Sequence, residues 1–283
     1  MLFIAKSAWD KSQVADKMRR GACGLEIQLL DPRKETFLTS KAKVLDDSIL
    51  KYTIEAVHMP LSNGIDMEIE DVDGQYYFPY VCEFANEIAR IQQRRVIVVI
   101  HLHTTISNLK LYGLYDKVCK SLTAMAKKFP NVTIAVENTP YFFDVPYSNV
   151  ELVETIGLSN VGTCLDTCHA MMTERIIHDL SKDFRCRKAS LEGFFEKNKD
   201  VCKLIHLADC VDAGTGYGNN KGHGVSFDMS TLDSIPVLKR IFSYYRYYDY
   251  KCNITLEVRE DDFLNCVNFS KTLEACDHVI SSF

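Results

Sequence analysis

The stretch Val132-Thr133-Ile134-Ala135-Val136-Glu137 carries the reading of the fold: a short, mostly β-branched run that stops on a carboxylate. Val161-Gly162-Thr163-Cys164-Leu165-Asp166 repeats the form, and Val96-Ile97-Val98-Val99-Ile100-His101 repeats it with an imidazole at the end. Working outward in both directions, comparable runs occur at Leu2–Lys6, Gly24–Leu29, Ile54–His58, Lys203–Leu207 and Asn253–Val258, which makes eight candidate strands. Most are separated by stretches of helical period. In Asp116–Lys128, for example, Val118, Cys119, Leu122, Met125 and Ala126 fall on one face. Strands that alternate with helices pair in parallel through right-handed crossovers, and eight such units predict a closed (β/α)₈ barrel. An open doubly wound sheet is the alternative.

Size and composition agree with this. Barrels of about 250 residues are routinely one domain, so the 283 residues are read as a single domain spanning residues 1–283. The 47% apolar and 25% charged residues are the balance of a globular chain with material for a core, which excludes disorder. The longest apolar runs are strand-sized, far below the roughly 20 residues that span a bilayer, so no membrane association is expected. The opening Met1-Leu2-Phe3-Ile4-Ala5-Lys6-Ser7 lacks the form of a secretion leader, and a cytoplasmic location is expected. Eleven cysteines, scattered through apolar segments, read as reduced thiols. Cys164 and Cys168 have no second pair at zinc-finger spacing. A net charge of −5 argues against a nucleic-acid partner without excluding a local basic groove.

Three connections are irregular. Residues Asp31 to Asp47 are polar, Ser62 to Pro79 carries the turn signals Asn63-Gly64, Asp73-Gly74 and Pro79, and Asp209 to Asp228 is rich in glycine and asparagine. Long loops after barrel strands lie on the catalytic face, so these are candidates for lids or substrate walls as well as plain surface loops.

The strongest signal is what stands where the apolar runs stop: His58, His101, Glu137, Asp166, His206 and Glu257. The C-terminal ends of parallel barrel strands meet on one face, so these side chains are expected to converge. Any one of the histidines alone would read as a hydrogen-bonded structural residue. Three clustered carboxylates would raise one another's pKa at a cost of several kcal/mol, which a dication removes. Glu137, Asp166, His206 and Glu257 are therefore the expected ligands of a divalent metal. Three carboxylates and one imidazole suit Mn²⁺, Mg²⁺ or Co²⁺, while His58 and His101 beside Glu137 would add a second pocket favouring Zn²⁺.

The ordered series His58-Met59-Pro60, His101-Leu102-His103, Glu137-Asn138-Thr139, Asp166-Thr167-Cys168-His169, His206-Leu207-Ala208-Asp209, Gly222-His223-Gly224 and Glu257-Val258-Arg259 resembles the xylose isomerase-like barrel superfamily over the whole chain. That superfamily includes sugar and sugar-phosphate isomerases and epimerases, and the endonuclease IV nucleases that cut abasic DNA. Resemblance to the epimerase branch implies Glu137, Asp166, His206 and Glu257 as ligands, with Glu137 and Glu257 also acting as acid and base on opposite faces of a substrate carbon. The implied substrate is a small sugar or polyol, phosphorylated or not, and self-association stays open. Resemblance to the nuclease branch extends to His58, His101 and His169. That branch also has an Asp-x-His pair after strand seven, which is missing between Asp212 and Gly224. A metal-binding barrel without catalysis is a third reading.

Further substrate contacts are expected from His169, His103, Glu26, His223 and Arg259. Each has a plainer alternative. His169 could orient a ligand, Glu26 in Gly24-Leu25-Glu26-Ile27 could be a buried paired acid, and Arg259 could be a counter-ion to the carboxylates. Asp209 is expected to orient His206 or anchor its loop. Tyr244 to Tyr248 are expected to pack or form an interface more than to bind nucleic acid. No role is expected for His178 or His278.

Overall fold

The structure is a computed structural model. It describes residues 1–7, 10–29, 41, 43–59, 77–102, 110, 113, 115–138, 146–180, 189–210, 224–230, 234–262 and 264–283, with the backbone alone at 77 and 175–180. The strands are β1 (Phe3–Ser7), β2 (Leu25–Gln28), β3 (Ile54–His58), β4 (Val96–Ile100), β5 (Val132–Glu137), β6 (Val161–Asp166), β7 (Cys202–Leu207) and β8 (Asn253–Leu256). They hydrogen-bond in chain order, all parallel, and β8 returns to β1 through Phe3↔Ile254, Ile4↔Thr255 and Ala5↔Leu256, so the sheet is a closed barrel. The expected strands are all present, each shifted by no more than two residues at an end. Their side chains are buried on both faces, one against the helices and one against the barrel axis, which is why they read as unbroken apolar runs.

Among the described residues the helices are α1 (Lys11–Arg19), α2 (Asp47–Leu50), α3 (Tyr77–Gln92), α4 (Tyr115–Lys128), α5 (Ser148–Ile156), α6 (Thr167–Leu180), α7 (Leu191–Asn198), α8 (Ser234–Tyr247) and α9 (Val267–Ser281). Asp10 starts α1 by accepting hydrogen bonds from the Ser12 and Gln13 amides, each at 2.9 Å. In α4 the apolar stripe splits: Val118, Leu122 and Ala126 are buried, while Cys119 and Met125 are half-buried at its margin. Pro79, read as a turn signal, belongs instead to the first turn of α3. A proline is tolerated there because the first helical amides have no partner to lose. Gly162 lets β6 approach the chain entering β7, since a Cβ there would lie 2.3 Å from the Val201 carbonyl oxygen.

The barrel axis is filled in layers. Ile4, Ala56, Val99, Ala135, Cys164 and Leu204 form one closed apolar layer, each from a different strand. Because side chains alternate along a strand, the residue two positions on faces the same way. Those residues are Lys6, His58, His101, Glu137, Asp166 and His206. The polar layer thus stands directly on the apolar one, at the C-terminal end of the barrel.

Outside the barrel, Tyr245 is buried and donates to the Cys252 carbonyl at 2.8 Å, whereas Tyr247 is 78% exposed, so the tyrosine cluster is part packing and part surface. The described cysteines are free thiols. No helix is long and apolar enough to cross a membrane among the described residues.

Candidate metal centre

Glu137, at the end of β5, is the hub of the polar layer. Its Oε2 lies 2.6 Å from His101 Nε2 and 3.1 Å from His58 Nε2, and its Oε1 lies 3.4 Å from His206 Nδ1. Burial acts to raise its pKa, but the His101 and His206 rings outweigh burial and hold the carboxyl well below its ordinary value. Glu257, just past β8, brings Oε2 to 2.8 Å from His206 Nδ1. Asp166 is fixed by its backbone. Its amide donates to Asn138 Oδ1 at 2.7 Å, its carbonyl accepts from Asn138 Nδ2 at 3.0 Å, and its Oδ1 accepts the His169 amide at 2.7 Å, capping α6.

His206 is fully buried between two sets of acids. Nε2 faces Glu26 Oε2 at 3.0 Å, and Thr255 Oγ1 donates to that same oxygen at 2.7 Å. With Nε2 held by Glu26, Nδ1 is turned to two other carboxylates, Glu137 Oε1 and Glu257 Oε2. A ring anchored through one nitrogen with the other turned into a carboxylate cluster is the arrangement of a metal-ligating histidine. In the metal-free site, burial acts to lower the His206 pKa, while Cys164, Glu26 and Glu137 outweigh burial and raise it well above the ordinary value. Burial pushes the Cys164 thiol itself well up, so the carboxylates carry that effect near neutral pH. Burial also raises the Glu26 pKa in opposition to His206 and Lys6, which draw it down to about 2.

Glu137, Asp166, His206 and Glu257 each offer one donor atom, all within 4.8 Å of one another, and so do His58, His101 and Glu137. Three hard oxygens with one imidazole fit a divalent cation. His58 Nδ1 lies 2.7 Å from the Met59 carbonyl, which leaves Nε2 turned to Glu137. Burial, followed by the charge of Lys6, lowers the His58 pKa and keeps the ring neutral, as a ligand requires.

Residues 81–279 match the xylose isomerase-like TIM barrel family. The chain belongs to that family. Among solved structures, this barrel is similar to a D-tagatose 3-epimerase-like protein (18% identity, 100% of this chain and 98% of that one, TM-score 0.63). It is also similar to 3-keto-D-glucoside 4-epimerase from E. coli in its apo form (14% identity, 98% and 99%, TM-score 0.57). A third likeness is to D-psicose 3-epimerase in the presence of D-fructose (11% identity, 100% and 98%, TM-score 0.59). At such identities the likeness is one of fold. No curated protein matches the chain in sequence.

Other expected residues of this xylose isomerase-like barrel fall in three places. His169 lines the centre, with Nδ1 2.8 Å from the Asn138 carbonyl and 3.6 Å from Glu137 Oε1. Glu26 is wholly enclosed behind His206, the position of a paired acid. Arg259 is exposed, its amide donates to the Gly224 carbonyl at 2.8 Å, and it forms no salt bridge among the described residues. Its side chain packs over Gly224, where a Cβ would meet Arg259 Cγ at 2.9 Å. His103 and His223 lie outside the described residues, as does most of the segment from Asp209 to Asp228. The described base of that segment is a backbone bridge between Asp209 and Val225. Asp209 Oδ1 accepts the Cys210 amide at 2.8 Å, so Asp209 anchors the loop, and the partner of His206 Nε2 is Glu26.

Two participants escaped the sequence reading. Asn138 clamps Asp166 and orients His169; it stands in the Glu137-Asn138-Thr139 motif, of which only Glu137 carries an expected role. Lys6 is the other: its ammonium lies 2.7 Å from Glu257 Oε1 and 3.7 Å from Glu26 Oε1. It ends the Leu2–Lys6 run just as the six recognised residues end theirs, so the same rule applied to cations would have found it. Burial acts to lower the Lys6 pKa, and Glu257, Glu26 and Glu137 outweigh it, holding the ammonium above its ordinary value.

Proposed function

We propose that this barrel is a divalent-metal-dependent isomerase or epimerase of a small sugar or polyol. The observation that carries the reading is the convergence of one donor atom from each of Glu137, Asp166, His206 and Glu257 within 4.8 Å. These four residues would hold the cation, for which Mn²⁺, Mg²⁺ or Co²⁺ is the suitable class. When bound, it supplies Lewis acidity that makes the hydrogen next to a substrate carbonyl labile. Glu137 and Glu257, which approach His206 Nδ1 with separate carboxylates, act as the proton carriers. One takes the proton from carbon and the other returns it. Asp166 and Asn138 hold the frame, and His169 contacts substrate hydroxyls. Arg259, His103 and His223 are assigned to substrate contact. Glu26 acts through His206, whose ring it fixes.

The test is hydrogen exchange. Wild type with Mn²⁺ should exchange the α-hydrogen of a ketose or inosose with solvent deuterium, and Glu257→Gln should lose exchange while retaining a bound cation. Exchange undiminished in the variant would remove Glu257 from the mechanism.

A second reading is favoured by His58 and His101, both turned to Glu137 as a second donor group. Such a centre would suit phosphodiester hydrolysis at an abasic site and Zn²⁺. Metal-dependent cleavage of abasic DNA by wild type, without exchange on any sugar, would replace the first reading with this one.

A further inference from the structure

Lys6 divides the two oxygens of one ligand. Along β1 the axis-facing residues are Ile4, in the apolar layer, and Lys6, above it. β1 lies between β2 and β8, so its ammonium sits between an acid from each neighbour. Glu257 gives Oε1 to Lys6 at 2.7 Å and presents Oε2 to His206 Nδ1 at 2.8 Å. The Lys6 side chain is only 10% exposed, so water does not screen the contact as it would a surface pair. With Oε1 held by the ammonium, Oε2 is the oxygen that faces the donor group.

Resting on the reading that the centre holds a dication, we propose that Lys6 is a positioning residue that confines Glu257 to a single donor oxygen, Oε2. Two effects follow. A carboxylate that gives one oxygen leaves one more coordination position for substrate. A fixed positive charge beside the cation also weakens its binding, because like charges in a poorly screened interior repel. Lys6 therefore exchanges tightness of metal binding for room at the metal.

Two variants test this. Lys6→Met removes both the charge and the hydrogen bond, whereas Lys6→Gln removes the charge and keeps a donor to Oε1. Mn²⁺ binding by calorimetry, and the visible spectrum of the Co²⁺-loaded protein, which responds to coordination number, are compared with wild type. Lys6→Met is expected to bind Mn²⁺ at least about tenfold tighter and to shift the Co²⁺ spectrum toward a higher coordination number. Lys6→Gln is expected to bind tighter with the wild-type spectrum, and it carries the test if Lys6→Met does not fold. Unchanged or weaker Mn²⁺ binding in both variants, with an unchanged spectrum, would reduce Lys6 to a structural counter-ion. Failure of wild type to bind any dication would overturn the metal reading itself and this inference with it.

Discussion

The two layers inside the barrel use the same strands, two residues apart, and obey opposite rules. The lower one, Ile4, Ala56, Val99, Ala135, Cys164 and Leu204, contains only apolar groups that need no partner. The upper one gathers Lys6, Glu137, Asp166 and three imidazoles, with Glu26 and Glu257 beside them, in a space where an unpaired charge costs several kcal/mol. The lower layer gains stability from filling the axis, and the upper one holds electrostatic tension that a bound dication would relieve. One strand therefore serves both needs by nothing more than its pleat.

The contrast breaks most sharply at Glu137, which belongs to both donor groups. Glu137→Gln is expected to lower proton-transfer activity by about 10²–10⁴-fold, measured as deuterium exchange, with secondary structure unchanged by circular dichroism. Retained activity would place the chemistry elsewhere. In the lower layer the effect moves to stability. Leu204→Ala, at a fully buried position, should cost about 2–5 kcal/mol in denaturant unfolding while each folded chain still binds its cation. A loss of metal without a loss of stability would mean that the layers are not separable.

Acidity sharpens the comparison, because the imidazoles and carboxylates all stand in the upper layer. His206 is held above its ordinary pKa, so a dication bound there as proposed would displace its proton. Its contribution to metal-free stability is present below the unfolded-state value, about 6.5, and is lost as pH rises through the raised folded value. Metal binding runs the other way, gaining up to about tenfold per pH unit over the same window. Calorimetry in two buffers of different ionisation enthalpy should show proton release on Mn²⁺ binding, and affinity independent of pH from 6 to 8 would contradict it. The smallest effect is expected from replacing His58 and His101 together by Ala. A two-metal centre loses about one equivalent by elemental analysis, and a one-metal centre loses none.

The barrel was legible in the sequence because each strand is apolar on both faces and stops on a polar residue, a pattern that survives without knowledge of the partners. The convergence of Glu137, Asp166, His206 and Glu257 was legible for the same reason, since a strand end fixes both position and direction. Lys6 escaped because a lysine at a strand end ordinarily reaches water, and only the closure of β8 onto β1 turns it toward Glu257. The Glu26–His206 contact, between residues 180 positions apart, has no periodicity to record it. Pro79 misled because proline marks a turn and a first helical turn alike.

The closing seam has a consequence for how the protein is made. Lys6 and Glu26, from β1 and β2, meet Glu257, just past β8, and His206 on β7. The Lys6–Glu257 contact forms only when β8 docks on β1. Under the proposed metal reading, the group Glu137, Asp166, His206 and Glu257 is complete only once the chain has reached the end of β8, whereas His58, His101 and Glu137 come together at the ends of β3, β4 and β5.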